Sequence, residues 1–98
     1  MNHPSVDEIS LASILHALGD DTRLTIAKVI YASDQPITCS QAVADIKNLA
    51  ISTRSHCFKI LREGGVIQSV KQGRDCLNTI RLDEIEQKFP GVLQALLA

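Results

Sequence analysis

The sequence predicts a mainly α-helical fold with one small β-hairpin, in the order α-α-α-α-β-β-α, as one domain over residues 1–98. Three observations carry that expectation. Apolar residues recur at helical spacing four times before Gly64 and again after Arg81, with capping residues opening the first, third and last of these runs. Two short β-type runs, 66–70 and 76–80, flank the polar tip Lys71-Gln72-Gly73-Arg74-Asp75, the pattern of a hairpin. Finally, 98 residues suffice for one hydrophobic core and not for two.

The elements follow in order. Ser5-Val6-Asp7-Glu8 reads as a capping box opening a first helix through Ile9, Leu11, Ile14, Leu15 and Leu18, which Gly19 stops. Asp20-Asp21-Thr22 places acids at the positive end of a second helix that runs to about Ser33. Gln35-Pro36 breaks it, and Ile37 is briefly extended. Thr38-Cys39-Ser40-Gln41 is another capping box, opening a third helix through Ala42, Val43, Ala44 and Ile46. After a turn at 48–50, a fourth helix spans about Ile51 to Glu63 and ends at Gly64-Gly65. Beyond the hairpin, Asp83 caps a last helix that Pro90-Gly91 kinks or restarts. A helix pair joined by a short turn and followed at once by a hairpin describes a winged helix-turn-helix.

Composition narrows the function classes. Hydrophobic residues make up 45% of the chain and charged residues 21%, which excludes disorder. No run of about 18 apolar residues occurs, and Met1 to Glu8 is polar with two acids, unlike a signal peptide. Three cysteines, Cys39, Cys57 and Cys76, are an odd and widely spaced set, as expected of reduced thiols in a cytoplasm. No C-x-x-C pair is present for a zinc knuckle. No Gly-rich phosphate loop, nucleophile elbow or paired carboxylates point to an enzyme.

The net charge of −1 conceals a segregation. Between Arg54 and Arg81 stand six bases (Arg54, Lys59, Arg62, Lys71, Arg74, Arg81) and two acids (Glu63, Asp75), a local +4. The remainder carries four bases and nine acids, or −5. Counterion release from a polyanion depends on local charge, so the near-neutral total is compatible with nucleic acid.

The fourth helix sharpens this. At about 100° per residue, Ile51, Cys57, Phe58 and Leu61 fall on one side, and Ser52, Ser55, His56, Lys59 and Arg62 on the other. The second face holds groups that can reach base edges and phosphates, with no acid between Ser52 and Arg62. The hairpin tip adds Lys71, Gln72 and Arg74. The expected partner is double-stranded DNA, contacted by these residues with Thr53 and Arg54. The rival reading is a winged-helix module that binds protein.

Leu18-Gly19-Asp20-Asp21-Thr22-Arg23-Leu24-Thr25-Ile26 resembles the "L-x-D-x-T-R-L-x-I-L" stretch of ArsR/SmtB-type winged-helix repressors. Residues 52–67 are similar to that family's "S-T-V-S-x-H-L-K-V-L-R-E-A-G-L-V" recognition helix, and Gly73-Arg74 falls where its wing has "G-R". The resemblance covers about residues 12–82. It implies a homodimeric repressor acting on a palindromic operator, with the first and last helices at the dimer interface. Candidate interface residues there are Ile9, Ile14, Leu15, Phe89, Val92, Leu93, Leu96 and Leu97, more apolar surface than so short a chain can cover. Arg54 departs from the pattern, which has a small aliphatic residue there. Either its stem snorkels the guanidinium towards phosphate or the helix starts in a shifted register.

The resemblance also frames what could release DNA. One metal site of the family uses a "C-V-C" motif at the third helix. Cys39 matches its first cysteine, but Gln41 replaces the second. Another uses histidine and carboxylates on the last helix, and 83–98 contains no His. The ligand sets are incomplete, so no metal or other cofactor is expected. Cys39, Cys57 and Cys76 remain either sensing thiols or small buried hydrophobes.

Overall fold

In the computed structural model, which describes residues 2–98, the elements are a 3-10 turn Val6–Glu8, α1 Leu11–Leu18, α2 Asp21–Ala32, β1 Ile37–Thr38, α3 Cys39–Ala42, α4 Ile51–Glu63, β2 Ile67–Gln72, β3 Asp75–Ile80, α5 Leu82–Lys88 and α6 Val92–Leu97. Met1, the first residue of the polar N-terminal segment, lies outside the described residues. The three strands form one antiparallel sheet in the order β1-β3-β2.

The first helix starts later than its sequence suggests. The Ser5 amide does donate to Glu8 Oε1 at 2.8 Å, but that box closes only the 3-10 turn. Ile9 then leaves helical geometry and is 2% exposed, packed into the core. A second reciprocal pair, Ser10 and Ser13, opens α1 instead: the Ser13 amide donates to Ser10 Oγ and the Ser10 amide to Ser13 Oγ. Lys88 fixes the segment to α5 by donating to the carbonyls of Val6, Asp7 and Ile9.

Between α1 and α2, Asp20 caps the second helix by accepting from the Arg23 amide at 3.1 Å. Arg23 reaches back, Nε to the Ala17 carbonyl (2.8 Å) and Nη2 to that of His16 (3.1 Å), and so caps α1. The third helix is shorter than expected. Thr38 caps it, but α-geometry ends at Ala42, and turns carry the chain to Asn48, whose φ of 60° is left-handed. Val43 and Ile46 still pack on the core, from turns rather than from a helix.

The end of α4 is a Schellman motif: the Val66 amide bonds to the Leu61 carbonyl and the Gly65 amide to that of Arg62, both at 3.0 Å. Gly65 has φ +83°, and a Cβ there would lie 2.5 Å from Ile9 Cγ1. Ile37 is more than an isolated extended residue, because β1 pairs Ile37 with Asn78 and Thr38 with Leu77. The wing strands reach further into the tip than expected, closing at Gln72 and Asp75 around Gly73-Arg74. Asp83 is not the cap of the last helix. Arg81 holds that position, its carbonyl accepting from the Ile85 amide, while Asp83 and Glu84 sit in the first turn. The chain restarts as α6 through Gly91 at φ +83°.

The core joins α1, α2, α4, β2, α5 and α6 through Ile14, Ile26, Leu61, Ile67, Ile85 and Leu93, each fully enclosed, and Ile37, Ala42 and Ile80 bring in β1, α3 and β3. Among the described residues no helix is long and apolar enough to cross a membrane.

Candidate nucleic-acid interface

α4 keeps the register that its sequence predicts: Cys57, Phe58 and Leu61 are buried, Ser52, Ser55, His56 and Lys59 are exposed, and Arg62 is half-buried. Its first turn contains no acid, and Ala50 supplies no side-chain cap. Ile51 departs from expectation. Placed with the apolar side by its position on the wheel, it is 80% exposed, because the first turn projects beyond the core. Thr53 is exposed as well, but six residues before Lys59 it points about 120° away around the helix. At the wing tip Lys71, Gln72 and Arg74 are all exposed.

Arg54 is half-buried, and its guanidinium is engaged within the chain. Its Nη2 donates to Ser40 Oγ at 3.1 Å, and that hydroxyl donates to Asp75 Oδ2 at 3.1 Å. The other carboxylate oxygen accepts from the Cys76 amide (2.8 Å) and the Cys39 amide (3.2 Å). One carboxylate at the tip end of the wing, where β3 begins, therefore ties β3, the start of α3 and α4 together. The Cys76 amide does most to hold the Asp75 carboxyl below its ordinary range, helped by Ser40, Cys39 and Arg54 and opposed by desolvation. Helix register is unshifted, so the place that a small aliphatic takes in the family pattern is here used for a tether.

Beside this tether lies an open cleft of about 230 Å³ between α4, α3 and the wing. Arg54, Arg62 and Arg74 line it together with Cys39 and Cys76, giving it a cationic wall. Arg81, counted in the basic segment, does not contribute to this face. It is 8% exposed, bonded to both oxygens of Glu84 at 2.8 Å and to the Pro4 carbonyl.

Buried Asn78 organises the sheet beneath. Its Oδ1 accepts from Ser69 Oγ at 2.6 Å, and its amide group donates to the Ile37 carbonyl, Cys39 Sγ and the Cys76 carbonyl. Sequence reasoning passed over Asn78, Ser40 and Asp75. Only the β-unfavourable Asn inside a strand and the acid in a basic tip signalled them.

The cysteines are all free. Cys57 is 4% exposed on the core side of α4, and burial pushes its thiol up. Cys39 is half-buried; burial raises its thiol too, opposed by the Asn78 hydrogen bond. Among the described residues no three His, Cys, Asp or Glu side chains gather as a metal-binding group.

The expected dimer residues divide. Ile9, Ile14, Leu93 and Leu97 are buried inside the chain, with exposures of 4% or less, and have no surface to offer a partner. Leu15 is 48% exposed, and Phe89, Val92 and Leu96 are half-buried. Leu11, one turn before Leu15 on α1, is 42% exposed and was overlooked.

Known proteins share this arrangement. The chain is 33% identical over 90 residues to the HTH-type transcriptional regulator YceK of Bacillus subtilis, covering 92% of this chain and 89% of that protein. An ArsR-like transcriptional regulator from Rhodococcus sp. RHA1 superposes with a TM-score of 0.61 at 26% identity, over 87% of this chain and 76% of that one. Reduced HlyU from Vibrio cholerae shares the fold, with a TM-score of 0.66 at 20% identity over 87% of this chain and 85% of its own. No family model matches the chain. Relatedness along nearly the whole length, with the same helices and wing, shows that the chain belongs to the ArsR family of winged helix-turn-helix, DNA-binding transcriptional regulators.

Proposed function

We propose that the chain works as a single-domain homodimeric repressor in the cytoplasm, with no catalytic role, and that it binds a palindromic operator. α4 enters the major groove, and the wing lies along the flanking backbone. The observation that carries this reading is the acid-free exposed arc of Ser52, Ser55, His56 and Lys59, continued by Lys71 and Arg74 at the wing tip. Ser52, Ser55 and His56 face base edges; Lys59, Arg62, Lys71 and Arg74 neutralise phosphates; Gln72 adds a polar contact. Thr53 lies at the margin, and Arg54 serves the interface through its tether. Leu11 and Leu15 of α1, with Leu96 of α6, supply the apolar surface for a second copy.

Release from the operator comes from an effector or from thiol modification. Cys39 and Cys76 are the thiols placed for the latter, because both line the cleft between α3, α4 and the wing, whereas Cys57 is enclosed. The test is selection of bound duplexes from a random-sequence pool, followed by footprinting. The expected product is a pseudo-palindrome with half-sites about one helical turn, or a multiple of it, apart. An unenriched pool, together with binding of a protein partner that is indifferent to salt, overturns the reading in favour of a protein-interaction module.

A further inference from the structure

The exposed surface of α4 carries one large apolar side chain where its arc is otherwise polar. Ile51 is 80% exposed, the most of any large hydrophobic among the described residues. It is the first residue of α4, at the end that leads a recognition helix into the groove. On the wheel it shares a ridge with Ser55, one turn on, and borders the arc of Ser52 and Lys59. Ile51 can neither donate nor accept a hydrogen bond, so it cannot substitute for the hydroxyls beside it. Among the base edges of the major groove, the one methyl group is the C5-methyl of thymine.

We propose that Ile51 is a specificity-determining residue that packs on a thymine methyl in each half-site. The inference rests on the reading of α4 as the groove-entering element and adds the base that its first residue selects. Ser52 and Ser55 flank that contact and satisfy neighbouring base edges, while removal of water from the isoleucine and the methyl supplies the preference.

The test replaces thymine by deoxyuridine in the selected operator, one symmetric pair of positions at a time. Each replacement deletes a methyl and leaves the hydrogen-bonding edge intact. At one pair the protein is expected to lose affinity by about three- to fivefold per half-site, the scale of one buried methyl group. Ile51→Ala is expected to fold with an unchanged Tm, since the side chain is exposed, and to bind the thymine and uracil operators equally at that pair. An operator insensitive to every methyl deletion, or an Ile51→Ala protein that keeps the full thymine preference, overturns the inference and leaves operator binding standing. A pool that yields no operator overturns both.

Discussion

Arg54 illustrates how a residue's neighbours decide its work. A basic residue in a DNA-facing segment invites a phosphate contact, yet its guanidinium is turned to Ser40 and, through it, to Asp75. If its role is positioning, charge alone is insufficient, because lysine lacks the planar fork. Arg54→Lys is then expected to weaken operator binding about as much as Arg54→Ala, and Asp75→Asn to reproduce most of the loss, each read by equilibrium titration. Full rescue by lysine would make Arg54 a direct phosphate contact. Asp75 and Glu84 also set an acid dependence. Both are held below their ordinary values of 3.8 and 4.5, Asp75 chiefly by the Cys76 amide and Glu84 by Arg81. Their stabilisation is fully present above those values and lost as pH falls through the depressed ones. The Tm of Asp75→Asn is therefore expected to fall less steeply than wild type between about pH 4.5 and 3. The chemistry of single positions was legible in the sequence where it depends on i, i+3 neighbours, as at Ser5 and Thr38. It was illegible where partners lie tens of residues apart, as for Asp75 with Ser40 or Asn78 with Ile37.

Elements were read well where periodicity and a terminator agree. α4 begins and ends where its apolar spacing and Gly64-Gly65 place it. The double glycine answers two demands, a left-handed C′ residue and close approach of α4 to Ile9. Gly65→Ala is expected to destabilise the protein by about 2–4 kcal/mol in chemical denaturation, from left-handed strain plus overpacking against Ile9. A loss below about 1 kcal/mol would mean that Ile9 moves aside at little cost. Reading failed where tertiary packing overrides a local signal. Ile9 is pulled into the core and breaks the first helix, and the turns after Ala42 bury Val43 and Ile46 without completing a helix. β1 was seen only as an extended residue because its partner, β3, lies about 40 residues on. Ile51 failed in the opposite sense: the wheel assigns it a face, and only the fold shows that the core stops short of it.

For the whole molecule, the basic segment keeps Lys59, Lys71 and Arg74 exposed, with Arg81 withdrawn into its pairing with Glu84. The apolar surplus is smaller than the sequence suggests, since half of the expected dimer residues complete the chain's own core. Leu11 and Leu15 of α1 stay exposed and Phe89, Val92 and Leu96 half-buried, so Leu15→Glu is expected to yield a monomer by sedimentation and to cost operator affinity; a persistent dimer would move the interface elsewhere. The account turns on α4 and the wing touching DNA together. Its most direct test is the slope of log Kd against log salt on the selected operator, for wild type, Lys59→Ala and Arg74→Ala. Each substitution is expected to reduce the slope by about one per half-site and to weaken binding to operator and unrelated DNA alike. Unchanged slopes and affinities for both variants, with their folding intact, would contradict the docking of this face on DNA.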